Sequence, residues 1–377
     1  MSSALTDLFP YPIVQAPMAG GVSLPRLAAA VCEAGGLGFL AAGYKTADGV
    51  YQEIKQLRSL TGRPFGVNLF MPQPEYPGAS TGSTGAANAA LPAAGAVEVY
   101  AHQLAGEAAW YETELGDPES GRDDGYDAKL AVLLDNPVAV VSFHFGIPSA
   151  EVLESLRRAG TFTLVTATTA AEARAVERAG ADAVIVQGVE AGGHQGTHKD
   201  NPENDRSGIG LLALIAQVRE SVNLPIVAAG GLMRGSQIAA ALAAGANAAQ
   251  LGTAFLVTPE SGAHAVHKQA LTNPLFVRTE LTRAFSGRPA RGLVNRFLRE
   301  HGPYAPAAYP EVHHLTSPLR KAAAKAGDAQ GMALWAGQGH RLARELPAGQ
   351  LVEVLVSEIA EARTALSDFQ AREGGAS

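Results

Sequence analysis

Eight short uncharged runs set the strongest constraint on what this chain can fold into. They fall at 12–16 (PIVQA), 37–41 (LGFLA), 65–69 (FGVNL), 138–143 (VAVVSF), 162–166 (FTLVT), 183–187 (AVIVQ), 225–229 (PIVAA) and 247–251 (NAAQL). Each is predominantly apolar without a two-residue alternation, as expected of parallel strands covered on both faces. Ala-rich segments of helical length lie between several of them. The segment 170–179 is followed by Gly180 as a C-cap, and 235–244 by Gly245. Eight strands alternating with helices predict a (β/α)8 TIM barrel of the α/β class rather than an open doubly wound sheet.

Two stretches fall outside that repeat. A long insertion, 72–137, separates the third and fourth strands. It opens with the low-complexity run MPQPEYPGASTGSTGAANAALP, read as a loop, and continues with helical material such as 97–115. Residues 258–377 follow the eighth strand, carry Tyr, Pro and Arg clusters, and end in a predicted helix near 349–371. They are expected to form a mostly helical lid or small second domain packing on the mouth of a ligand-binding barrel spanning 1–257.

A net charge of −7 argues against nucleic acid as a partner. The uncharged stretch 235–259 is rich in Ala and Gly with interspersed polar residues, which suits a helix and a buried strand better than a membrane span. The N-terminal residues lack the basic and apolar regions of a signal peptide. The single cysteine, Cys32, excludes an internal disulfide framework and fits a reducing compartment, so a cytoplasmic protein is expected.

Barrel chemistry sits where strands end. The first strand ends in Gln15-Ala16-Pro17-Met18, the third at Asn68, and the fourth at Ser142-Phe143-His144. The sixth ends in QGVEAGGHQGTH (187–198), the seventh in Gly230-Gly231, and the eighth in Gln250-Leu251-Gly252-Thr253. Glycines at the last two ends free backbone N–H groups at helix starts, the usual barrel phosphate site. Asn68 and Gln187 each offer a donor and an acceptor, the combination a flavin ring edge requires. The same residues also suit plain turns, and His144 and His194 suit structural imidazoles beside loops. His194 and His198 have an H-x3-H spacing, but no third ligand is evident, so no metal is expected. Arg278, Arg283, Arg288, Arg291, Arg296 and Arg299 suit a solvated face pairing with acids elsewhere, or one or two of them attract an anionic substrate to the mouth, and His313-His314 suits surface or lid packing.

The motifs PIVQAPMAGG, GVNLF, SFHFG, QGVEAGGHQG, PIVAAGGL and QLGTAF, with TRAFSGRPARG and LWAGQ, occur in this order over about residues 10–340. Together they resemble the class I nitronate monooxygenases, formerly 2-nitropropane dioxygenases. The resemblance implies non-covalent FMN held by Asn68, Gln187, Gly192, Gly193, Gly230, Gly231, Gln250, Leu251, Gly252 and Thr253. Ala16, Pro17 and Met18 would lie against the ring. It further implies His194 and His144 as catalytic residues, and Tyr309 in AAYPEVHHLTSPLR as an active-site tyrosine. Trp335 and Gln338 are candidates to close over the cofactor. The implied reaction is oxidation of an alkyl nitronate, such as propionate 3-nitronate, by O2 to a carbonyl compound and nitrite. An NAD(P)H-dependent flavin reductase (a quinone or enoyl reductase) on the same barrel, and a non-redox phosphate-binding barrel, stay open as alternatives, as does the oligomeric state.

Overall fold

The computed structural model describes residues 5–73, 93–121, 123–202 and 208–374. All eight expected strands are present: β1 (Ile13–Gln15), β2 (Phe39–Ala41), β3 (Gly66–Phe70), β4 (Val140–His144), β5 (Phe162–Ala167), β6 (Ala183–Gln187), β7 (Ile226–Ala229) and β8 (Ala248–Leu251). Every neighbouring pair is parallel, in the order β1-β8-β7-β6-β5-β4-β3-β2. The ring closes between β1 and the residues before β2. There the Gln15 N–H donates to the Leu37 carbonyl and the Leu37 N–H to the Ile13 carbonyl, each at 2.9 Å. The chain therefore folds as a (β/α)8 barrel.

Strand alternation divides the core in two. Val14, Val140, Leu164, Ile185, Val227 and Ala248 pack together inside the barrel. Ile13, Val67, Val141, Phe143, Val184 and Ala249 pack outward against the helices. The inward parity continues up each strand, so it directs Asn68, Ser142, His144, Gln187 and Gln250 toward the mouth.

The helices end where the sequence signals stop them. Thr169 caps the helix Ala170–Ala179 by accepting the Glu172 N–H, and Gly180 ends it at φ 88°. The helix Gly235–Ala243 is followed by Gly245 at φ 111°. Glycine is required at 235, where a Cβ would lie 2.4 Å from the Leu355 carbonyl oxygen. That contact seats the C-terminal helix, Ala348–Gly374, against the barrel's outer helices. Cys32 is buried, and burial pushes its thiol up to about 11. Among the described residues, no helix is long and apolar enough to cross a membrane.

Most of the low-complexity run, 74–92, lies outside the described residues. The helical part of the insertion forms Ala93–Gln103, Ala105–Trp110 and Tyr126–Asp135. Its Val97, Tyr100 and Leu104 share a core with Phe285, Phe297, Val312, Leu315 and Leu319 of the C-terminal segment. That segment holds helices, as expected, and also two strands, Thr279–Thr282 and Ala290–Leu293. They join Gly193–His194 in a three-stranded antiparallel sheet that the sequence reading did not anticipate.

Candidate active site

The strand ends surround a cavity of about 520 Å³. Ala16, Pro17, Met18, Asn68, His144, Gln187, Gly192, Gly193, His194, Gly230, Gly231, Gln250, Leu251, Gly252, Thr253 and Trp335 all line it. Tyr309 stands behind this lining, with its ring 5.6 Å from that of His194. Gln338 is exposed and does not line the cavity; its backbone N–H donates to the Glu190 carbonyl at 3.0 Å. The structure thus brings together all of the selected residues except Gln338.

Glycine shapes much of the rim. Gly20, Gly21 and Gly193 adopt φ of 78°, 90° and 73°, and a Cβ on any of them would meet no atom within 4 Å. Gly192 lies under the Ala336-Gly337 backbone, where a Cβ would approach the Gly337 nitrogen to 2.5 Å. The Gly337 N–H in turn donates to the Thr253 hydroxyl at 2.9 Å. The Gln250 Oε1 atom is buried and has no hydrogen-bond partner among the described residues. Asn68 donates through Nδ2 to Ser142 Oγ at 2.9 Å, which fixes its amide and leaves Oδ1 as an acceptor. A cavity bordered by open glycines, a fixed amide and an unsatisfied amide oxygen fits a large polar, ring-bearing cofactor such as a flavin nucleotide.

His194 owes its place to the small sheet, pairing with Ala290. Its carbonyl accepts from Gln187 Nε2 at 3.1 Å and from His144 Nε2 at 3.4 Å. Gln187 Oε1 accepts the Gly196 N–H at 2.7 Å. Gln187 thus holds the 194–196 loop with both ends of its amide. His144 is engaged at both ring nitrogens, Nδ1 lying 3.2 Å from Thr166 Oγ1. His194 instead bonds Ser286 Oγ through Nε2 and lines the cavity. The H-x3-H spacing does not converge, because His198 turns away to the Thr166 carbonyl at 2.7 Å. Among the described residues, the cluster suited to a metal is Glu107, Glu300 and His301, which contains neither histidine. Its carboxylates are already paired with Arg296.

The arginine run is only in part a solvated face paired with acids: Arg278 and Arg299 are exposed, and Arg278, Arg283 and Arg296 pair with Glu280, Asp200 and Glu107. Arg283, Arg288 and Arg291 are buried, while Arg278 is exposed. Arg291 donates to the Val189 carbonyl, and Arg288 to the Thr197 carbonyl and Gln73 Oε1. The Arg288 guanidinium lies 4.1 Å from the Phe145 ring centroid. The Asp200 carboxylate pairs with Arg283, and backbone carbonyls and an aromatic face, rather than water, solvate Arg288 and Arg291.

Tyr44 and Arg320 line the cavity and were not singled out from the sequence. Tyr44 sits just past β2, so the strand-end rule pointed to it. Arg320 lies on the helix Glu311–Lys325 and donates to the His313 carbonyl at 2.8 Å. No carboxylate pairs with Arg288 or Arg320 among the described residues. Burial holds Arg320 down to about 10, still charged at neutral pH. Burial, then Arg288, pushes His144 and His194 down to about 3. The cavity therefore combines the neutral imidazoles of His144 and His194 with the Arg320 guanidinium, which no carboxylate pairs, a setting that favours an anion.

The nitronate monooxygenase family matches residues 2–358 of this chain. A nitronate monooxygenase of Pseudomonas aeruginosa is 44% identical over 364 residues, covering 92% of this chain and 96% of that one. One from Paraburkholderia phytofirmans is 41% identical over 367 residues, covering 95% and 94%. A crystal structure of a nitroalkane oxidase from Streptomyces ansochromogenes aligns with a TM-score of 0.91 and 79% identity, covering 97% of this chain and all of that one.

Proposed function

Because the chain belongs to the nitronate monooxygenase family, and is an oxidoreductase, we propose that it oxidises alkyl nitronates, with FMN as its cofactor and O2 as the oxidant. The products are a carbonyl compound and nitrite. One observation carries this reading: Arg320 lines the cavity and supplies positive charge without a paired carboxylate, so an anionic substrate provides the counter-charge.

FMN, when bound, supplies the redox centre that accepts electrons from the nitronate. Asn68 Oδ1, Gln250 Oε1 and the glycine backbone at 230–231 and 252 are the groups that would hold it, with Ala16 to Met18 along one face. His194 is the substrate contact. With Nε2 engaged by Ser286 Oγ, its Nδ1 is left to donate a hydrogen bond to a nitronate oxygen. A nitronate is already deprotonated at carbon, so His194 need not act as a base for it. His144 and Gln187 hold the His194 carbonyl and so fix the loop. The apolar wall of Phe70 and Trp335 limits water around the reacting carbon.

The test is a steady-state assay with a panel of nitronates, with and without NADH. Oxygen uptake and nitrite release that do not require NADH support the reading. Rapid anaerobic flavin reduction by NADH, with no nitronate turnover, would replace it with a reductase. A purified protein that neither carries nor binds FMN would remove the redox reading altogether.

A further inference from the structure

Asp124 belongs to the insertion between β3 and β4, yet its carboxylate reaches the loop after β2. Its Oδ1 accepts the backbone N–H of Tyr44 at 2.8 Å. Its Oδ2 lies 2.8 Å from Nζ of Lys129, a side chain only 1% exposed. We propose that Asp124 and Lys129 are positioning residues that hold Tyr44 in the cavity wall, so that the insertion shapes the substrate end of the site.

Tyr44 has φ 64°, a left-handed conformation that a bulky residue keeps only when its surroundings over-determine it. Three contacts follow from that conformation. The Tyr44 hydroxyl lies 3.1 Å from the Tyr309 hydroxyl. Its ring stacks on His313, with centroids 4.0 Å apart and planes at 7°. Its ring edge meets Phe70 at 5.5 Å. Tyr309 in turn packs against His194 and Phe145. A line of contact therefore runs from the Lys129–Asp124 pair through Tyr44 and Tyr309 to His194.

The pair is built for holding rather than for solubility. A buried ammonium needs a carboxylate, and this carboxylate divides its two oxygens between the ammonium and one backbone amide. Neither group lines the cavity. Their influence on the substrate passes through Tyr44, which does.

The activity arm of the test rests on the nitronate reading above; the exchange arm does not. In an Asp124→Ala/Lys129→Met variant, which removes both charges together, amide hydrogen exchange across 42–46 should accelerate at least about tenfold. The KM for a nitronate should rise about five- to tenfold, with kcat held within about twofold. Tyr44→Phe, which leaves the ion pair intact, should raise KM similarly, and the three substitutions together should raise it no further. Wild-type exchange and KM in the folded, flavin-loaded double variant would overturn the proposal. So would an unchanged KM in Tyr44→Phe, whether or not the double variant folds. If the wild-type enzyme turns over no nitronate, the functional reading fails and the exchange arm decides this proposal alone.

Discussion

His194 Nε2 lies 2.9 Å from Ser286 Oγ, and Ser286 stands 92 residues further along the chain. The serine hydroxyl also lies 3.2 Å from the Arg288 carbonyl. Turned toward Nε2, the hydroxyl leaves the imidazole proton on Nδ1, as a donor to the cavity. Turned toward the carbonyl, it leaves Nδ1 as an acceptor. A hydroxyl with one proton and two possible acceptors lets His194 meet either an anionic or a protonated substrate.

His194→Asn should retain FMN and the wild-type melting temperature, because the loop is held mainly by the His194 carbonyl. Loss of a hydrogen bond to a charged ligand is worth about 1.5–3 kcal/mol, so kcat/KM should fall roughly tenfold to a hundredfold. Ser286→Ala should fall less, about three- to tenfold, since it frees the ring without removing it. Stopped-flow reduction by a nitronate measures both. Wild-type rates in a flavin-loaded His194→Asn protein would make the residue structural.

Arg320→Met should raise KM for nitronates about tenfold and leave neutral nitroalkanes within about threefold, because only the anion uses the uncompensated charge. The nitronate KM of the variant should also depend less on ionic strength. Equal losses for both substrate types would mean that Arg320 acts by packing instead.

Gly252→Val is expected to separate cofactor binding from folding. Gly252 has an ordinary φ of −106°, and a Cβ there would rest 3.5 Å from Ala16 Cβ. The backbone tolerates a side chain, whose methyls would enter the cofactor cavity. FMN affinity should fall at least tenfold, in line with losing a hydrogen bond to a charged phosphate at about 1.5–3 kcal/mol. Gly230 is the poorer probe, since its φ of 142° strains any side chain. Isothermal titration of the folded apoprotein decides the point, and an unchanged Kd would move the cofactor elsewhere.

The buried histidines predict how stability changes with acid. Burial pushes His144, His194 and His267 down to about 3, 3 and 4. The unfolded chain binds these protons below about pH 6.5, and the folded chain only near pH 3–4. Stability is therefore whole above pH 6.5 and is lost as pH falls through the window from 6.5 to about 3. The loss is at most about 1.4 kcal/mol per histidine per pH unit. Melting temperatures at pH 7.5, 6 and 5 should decline in step. The acid limb of kcat/KM for preformed nitronates should show no inflection near 6.5, and one that disappears in His194→Asn would contradict the neutral assignment.

The barrel strands were legible because each is buried on both faces and therefore apolar along its length. The same cue is missing from Thr279–Thr282 (TELT) and Ala290–Leu293 (ARGL), which carry charge; they pair with each other, and the second also with a strand of only two residues. Arg283, Arg288 and Arg291 resembled a surface because a sequence cannot show that Asp200, 83 residues away, pairs with the first or that backbone carbonyls solvate the other two. Gln187 and His144 were chosen for what they could offer a ligand, and both also proved to be bound to the His194 loop. Tyr44 was legible in principle, as it stands at a strand end, but its backbone partner comes from an insertion 80 residues away.

The pairing of His194 with Ala290 also bears on the order of assembly during synthesis. A nascent chain that has just exposed Leu251 holds all eight barrel strands, but not the strand or the serine that place His194. The barrel can close while the imidazole is still unheld, and the site matures only when residues 286–293 arrive. Ribosome-stalled chains long enough to expose Leu251 outside the exit tunnel, but not Ser286, should accordingly resist proteolysis across the barrel yet leave the 192–198 loop open to cleavage. Protection of that loop at this length would show that the later strands are not what orders it.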